Sequence, residues 1–320
     1  MSSSLIKYDN KFIPLAFGLH NSGVICYFNT LLQSLMSCSS VNQYFLIHEH
    51  VFKQKNNTLA LLYIDLLKKN LNNQGKNQKV FQSSNILTQL IISYKKKNPN
   101  IGHIGMGQED IGEFLIFFLD ALDNKYIEKL FIHKYQCDIL CTKCKTINNI
   151  PNDLSYQFEI PLDTSDSYEI EYLHKEKNST INISNYIRNN ISNISGQTCS
   201  KCKNSNSMVK MSRLKFIPTI LVINFNKYRQ KKLFKFPKFI EYINNKLKKK
   251  YIYIIVSSAE QSGNLMGGHY ICKATRKVFN ENNISTKSYL FNDISFQEYP
   301  IEPTLNSYIV FYHFHSSIDI

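Results

Sequence analysis

Cys26 opens the run Cys26-Tyr27-Phe28-Asn29-Thr30-Leu31-Leu32-Gln33-Ser34-Leu35-Met36. Its apolar residues at Phe28, Leu31, Leu32, Leu35 and Met36 repeat with the period of a core-facing helix. Asn21-Ser22-Gly23 just before it reads as a turn and cap. The spacing predicts a thiol at a helix N-terminus, where unpaired backbone N–H groups and the helix dipole favour an anion and lower the thiol's pKa. A cysteine there is also commonly a small core residue, so partners for it must be found elsewhere in the chain.

A thiol nucleophile needs a base, and the base needs a third group to fix its tautomer. Gly267-Gly268-His269-Tyr270-Ile271-Cys272-Lys273-Ala274 predicts a strand with His269 as its first residue, beside a flexible glycine turn. Tyr289-Leu290-Phe291-Asn292-Asp293 predicts a neighbouring strand ending in two polar groups, either of which could be set against the imidazole. In an extended strand their side chains point to opposite faces, which favours one of them; Asn292 is taken as the third member and Asp293 as support or alternative.

Two further groups carry chemistry. Gly107-Gln108-Glu109-Asp110-Ile111-Gly112-Glu113-Phe114-Leu115, continuing to Leu122, follows a helical stripe and puts the Asp110 and Glu113 carboxylates on one face near the helix start. They could complement the helix dipole, or hold a basic peptide. Cys141-Thr142-Lys143-Cys144 and Cys199-Ser200-Lys201-Cys202 are two C-x-x-C pairs, each able to form one knuckle of a tetrahedral four-cysteine zinc site, with Cys137 close by as a competing ligand at a less typical spacing. Such a site has no open coordination position, so its zinc would be structural.

The elements that must position these groups follow from pattern. Helices are expected over Leu59–Leu67 and Ser84–Tyr94, and a short one over Ile181–Asn190. Strands are expected over Tyr156–Leu162, Thr219–Phe225, Tyr251–Val256 and Tyr308–Tyr312. With 43% apolar residues the 320-residue chain can bury a large core. It has no apolar run of ~18 residues and its N-terminus is too short and polar for a signal peptide, so no membrane span is expected. Eight cysteines, half of them in knuckles, suit a reducing, intracellular setting, cytoplasmic with the nucleus left open. The net charge of +14 lies largely in short lysine runs such as Lys95-Lys96-Lys97 and Lys248-Lys249-Lys250 beside polar loops. Without interleaved aromatics these argue against a nucleic-acid groove and leave attraction to an acidic partner open.

Taken together, the segments resemble the ubiquitin-specific proteases, the papain-like cysteine deubiquitinases, over about residues 17 to 313. The likeness is carried by Gly18 to Gly23 with Cys26-Tyr27-Phe28-Asn29 and Leu32-Gln33-Ser34-Leu35, by Gln108, Asp110, Glu113 and Phe114, by the four knuckle cysteines, by Ile217 to Leu221, by Gly268-His269-Tyr270 with Phe291-Asn292-Asp293, and by Tyr308 to Tyr312. The chain departs from the family pattern at Val24-Ile25 before the nucleophile, Glu109, Asn226-Lys227-Tyr228 and Ser288.

The resemblance implies an α+β papain-like fold with thumb, palm and fingers, the fingers carrying a four-cysteine zinc ribbon. It implies a short extension at 1–13 and a catalytic domain at 14–315, with a thumb at about 14–125, fingers at about 135–225 including part of the palm, and a palm at about 226–315. Residues 316–320 would be a tail. It implies hydrolysis after the C-terminal glycine of ubiquitin through a Cys26 thioester, with His269 as base and then acid. Asn21 would donate to the oxyanion, Asp110 and Glu113 would bind arginines of the ubiquitin tail, and Cys141, Cys144, Cys199 and Cys202 would hold structural zinc. The implied partners are ubiquitin and ubiquitinated proteins, met by a monomer. The rival readings are a ubiquitin-binding module disabled by Val24-Ile25, and a zinc ribbon that binds nucleic acid through its lysines.

Overall fold

Phe28, Leu31, Leu32 and Leu35 are fully buried, and the whole of the first helix, α1 (Cys26–Leu35), lies inside the molecule. The computed structural model describes residues 5–71, 79–102, 104–105, 107–159, 180–182, 191–194, 196–225, 236–264, 267–279 and 284–320. Around α1 pack α2 (Ser39–Ile47), α3 (Glu49–Gln54), α4 (Thr58–Leu71), α5 (Ser84–Lys97), α6 (Ile111–Leu122) and α7 (Lys125–Phe131). The expected helices over Leu59–Leu67 and Ser84–Tyr94 lie within α4 and α5. Helix α6 starts only at Ile111, after the expected Gly107, because the Asp110 carboxylate accepts the Glu113 N–H at 2.9 Å and so caps it.

Three sheets accompany the helices among the described residues. The parallel pair β1 (Gly18–His20) and β2 (Val80–Gln82) flanks the loop before Cys26. A four-stranded sheet joins β3 (His133–Cys141), β4 (Ile147–Ser155), β7 (Ile191–Asn193) and β8 (Met208–Phe216) in the order β4-β3-β8-β7. The large sheet is built from β5 (Phe158–Glu159), β6 (Thr180–Asn182), β9 (Ile220–Asn224), β10 (Phe239–Asn244), β11 (Lys249–Asn264), β12 (Gly267–Phe279), β13 (Ile284–Asn292), β14 (Ser295–Glu298) and β15 (Ser307–Asp319). Its order is β14-β13-β12-β11-β15-β9-β5, with β10 pairing both β11 and β6.

The apolar runs read as buried strands occupy the sheet's middle and are covered on both faces. Ile220, Val222, Ile309 and Phe311 pack against the helices, while Leu221, Ile223, Val310 and Tyr312 enter a second cluster on the other face. Three expectations change. Ile181 and Asn182 lie in strand β6 where a helix was expected, and 183–190 fall outside the described residues. Of Tyr156–Leu162 only Phe158–Glu159 is strand, with 160–162 outside the described residues, as are Asn226-Lys227-Tyr228. Ser316 to Asp319 are no tail: they continue β15, pairing with Ile252, Tyr251, Lys250 and Lys249 of β11.

Candidate active site

Cys26 opens α1, but the residue capping the helix is Ile25, which contributes no side-chain hydrogen bond. Asn21 organises the loop instead, its Oδ1 accepting the N–H groups of Gly23 at 3.1 Å and Ile25 at 3.3 Å. Gly23 takes a φ of +145°, where a side chain is strained, so glycine fits this turn. The Cys26 sulfur is buried, and the backbone N–H groups of Tyr270, Tyr27 and Cys26 itself face it. Burial nevertheless raises its pKa above the ordinary thiol value, and the Asp293 charge adds to that. The expected lowering by the helix N-terminus is thus outweighed in the free protein by desolvation.

The Tyr270 contact brings the β12 backbone to the sulfur, and His269 is the residue before it. His269 is the third residue of β12, not the first, and pairs with Ser262 across the β11–β12 ladder. Its Nε2 lies 2.7 Å from Asn292 Oδ1. Because an amide oxygen only accepts, Nε2 carries the proton and Nδ1 keeps the lone pair.

Asp293 does something else. It sits in the turn between β13 and β14 at a φ of +49°, which swings its carboxylate away from the strand direction. There Oδ2 accepts from Asn21 Nδ2 at 2.9 Å and Oδ1 from Asn29 Nδ2 at 2.8 Å, while its carbonyl accepts from Leu19 N–H at 2.8 Å. Asp293 therefore ties the loop before Cys26 and the first turn of α1 to the strand that carries Asn292. From the sequence, Asn29 stood in the motif without a role; the signal was a buried amide one helical turn beyond Cys26.

At the start of α6, Tyr308 donates to Asp110 Oδ2 while Asp110 Oδ1 caps the helix. Glu113 is exposed beside it, and partial desolvation together with the Asp110 and Glu109 charges raises its pKa. Gln108, from the loop before α6, donates to the Gly268 carbonyl and accepts the Gly268 N–H. Its Nε2 is 3.9 Å from Cys26 Sγ, so one amide spans from the helical side to the His269 strand over the sulfur.

The four knuckle cysteines meet at the end of the four-stranded sheet, all their sulfurs within 4.8 Å of one another. Cys141 and Cys202 are 3.6 Å apart, as are Cys144 and Cys199, against an edge of about 3.8 Å in a tetrahedron of zinc–sulfur bonds. The Ser207 hydroxyl, with the Cys144 and Lys143 backbone, lowers the Cys141 thiol to about 6. These residues form a cluster able to hold a metal ion.

The sequence profile described as ubiquitin carboxyl-terminal hydrolase matches residues 17–312, from the strand before Cys26 to the last strand of the large sheet. The chain belongs to the ubiquitin carboxyl-terminal hydrolase family. The probable ubiquitin carboxyl-terminal hydrolase 16 of Schizosaccharomyces pombe is 24% identical over 248 residues, covering 70% of this chain and 49% of the relative. The chain thus spans about half the length of the curated relative that it matches. Among solved structures, the SAGA deubiquitinating module with Ubp8 bound to monoubiquitin superposes with a TM-score of 0.64 at 17% identity, over 98% of this chain and 72% of that one. The Ubp8 module bound to ubiquitin aldehyde gives 0.63 at 17% identity, over 96% and 70%. This hydrolase domain therefore has the fold of the ubiquitin-specific proteases, and its cysteine cluster stands in a ribbon as that fold implies.

Proposed function

We propose that this hydrolase domain is a thiol-dependent deubiquitinase, cleaving the isopeptide, peptide or ester bond after the C-terminal glycine of ubiquitin. The observation that carries the reading is the 2.7 Å bond from His269 to Asn292 on a strand whose next residue, Tyr270, meets the Cys26 sulfur. His269 Nδ1 takes the Cys26 proton, the thiolate attacks the glycine carbonyl, and the imidazolium gives the proton to the departing amine. Water, deprotonated by the same imidazole, then hydrolyses the thioester. Asn21 has a second Nδ2 hydrogen beyond the one given to Asp293, and this donates to the oxyanion. Asp110 and Glu113 meet the basic tail of ubiquitin, which must displace Gln108 from Gly268 to reach the sulfur.

The cluster suits zinc: Cys141, Cys144, Cys199 and Cys202 would hold it as four thiolates, and it would supply structure and take no part in the chemistry. The eight cysteines, present as reduced thiols, fit an intracellular protein, cytoplasmic with the nucleus left open. No helix among the described residues is long and apolar enough to cross a membrane. The deciding experiment is intact mass after mixing the protein, or Cys26→Ala, with ubiquitin carrying a thiol-reactive C-terminal electrophile. The expected result is one adduct, on the unsubstituted protein only. Binding of ubiquitin without an adduct would instead leave a non-catalytic binding module.

A further inference from the structure

Arg276 is fully buried, and among the described residues the hydrogen-bond partners of its guanidinium are neutral. One terminal nitrogen donates to Ser37 Oγ and the Thr275 carbonyl, each at 2.7 Å, and the other to the Gln33 carbonyl at 3.0 Å and to Gln33 Oε1. The guanidinium lies 4.5 Å from the centre of the Phe291 ring and 5.9 Å from that of Phe17. Burial lowers its pKa to about 10, which leaves it cationic at neutral pH. A buried cation with no ion-pair partner among the described residues is costly where a methionine would fill the space, so what its hydrogen bonds hold together is the question.

The contacts give the answer. Arg276 lies on β12, the strand that carries His269. Gln33 and Ser37 are at the C-terminal end of α1, where a cation complements the helix dipole, and Cys26 is at the other end of the same helix. Strand β12 thus grips α1 at two points, Tyr270 N–H at the sulfur and Arg276 at the far end, with Cys272 Sγ 3.4 Å from Ser34 Oγ between them. Phe291 precedes Asn292, and Phe17 leads into the strand before Asn21. We infer that Arg276 is a positioning residue that locks α1 against β12 and β13 and so sets Cys26 in register with His269 and Asn292. This rests on the catalytic reading of those three residues.

The test compares Arg276→Met and Arg276→Lys with the unsubstituted chain, each assayed below its own melting temperature. Three quantities are read: Tm, kcat and KM on a fluorogenic ubiquitin C-terminal substrate, and the pH profile of Cys26 alkylation by iodoacetamide. A register shift of a fraction of an ångström lowers kcat by about 10- to 100-fold while KM stays within about twofold. It also moves the alkylation midpoint upward, because a misplaced imidazole stabilises the thiolate less. Lysine keeps the charge but cannot bridge Gln33 and Ser37 together, so it recovers only part of kcat. Should Arg276→Met fail to fold, Arg276→Lys carries the same readouts. A lowered Tm with kcat and the alkylation midpoint unchanged would overturn the inference. Iodoacetamide does not require ubiquitin, so the alkylation profile decides this point even if the unsubstituted protein rejects the ubiquitin substrate.

Discussion

Asn292 and Asp293 are consecutive yet serve opposite sides of the site, since the strand ends between them: Asn292 orients His269, and Asp293 turns back to Asn21 and Asn29. Asn292→Ala is expected to lower kcat by about 10²- to 10³-fold with little change in melting temperature, because general-base function depends on the imidazole's tautomer and aim. Asp293→Ala leaves two amides without their acceptor and should cost about 1–3 kcal/mol of stability, read by urea denaturation. If the two variants exchanged these signatures, the assignment of Asn292 would be wrong. Glu113 supplies a pH test. Its raised pKa means that it takes up a proton at a higher pH than an ordinary glutamate, and the neutral form attracts a basic tail less. KM for ubiquitin substrates should therefore climb as pH falls toward the glutamate range, and Glu113→Gln should give a higher but flatter KM over the same window.

At the scale of elements, what the sequence made legible were those whose buried face is apolar. Helices α1, α4, α5 and α6 follow from their period, and the middles of strands β9, β11 and β15 from their apolar runs. Helix α2 escaped notice because it buries Ser39, Ser40 and Asn42, polar residues whose partners are distant in sequence. Asn42 donates to the Phe12 and Met36 carbonyls, each at 2.8 Å, and accepts from Tyr63 at 2.9 Å. Ser39 and Ser40 meet His313 of β15. The pull of burial on Cys26 was hidden for a related reason: a helix start is visible in one segment, while the walls around the sulfur come from several. The α2–β15 contact makes its own prediction. His313 Nδ1 donates to the Phe314 carbonyl at 2.8 Å and Nε2 accepts the Ser40 N–H at 3.2 Å, an arrangement that requires the neutral ring. Burial lowers its pKa from 6.5 to about 4. Above pH 6.5 the ring is neutral in both folded and unfolded chains; below it the unfolded chain binds the proton first, so stability falls until about pH 4. The share from His313 is about 2 kcal/mol by pH ~5. Urea midpoints of the unsubstituted chain and His313→Gln at about pH 7.5 and about pH 5 measure it. The variant should be less stable at the higher pH and lose less on acidification, although His133, whose burial also lowers its pKa to about 4, keeps some slope in both.

The molecule as a whole divides its stability unevenly. The helices share one large apolar cluster with the inner face of the main sheet, whereas the apolar cluster at the end of the four-stranded sheet consists, among the described residues, of Cys141, Cys199 and Met208, with Ile139, Cys144 and Ile194 against them. So small a core does not hold a sheet end in place without a staple, and the four sulfurs are the staple available. Removing the metal should therefore unfasten the ribbon while leaving Cys26 and its partners, which rest on the large cluster, in order. Purified protein is expected to contain about one zinc per chain, matching a single four-thiolate site. After chelation, KM for a ubiquitin substrate should rise several-fold, and limited proteolysis should open new cuts around Cys141–Cys144 and Cys199–Cys202. The iodoacetamide rate at Cys26 should stay as it was, since that reagent needs no grip on a ubiquitin body. A parallel loss of Cys26 reactivity would mean that ribbon and catalytic cleft fold as one unit, and an unchanged KM would mean that the ribbon takes no part in holding the substrate.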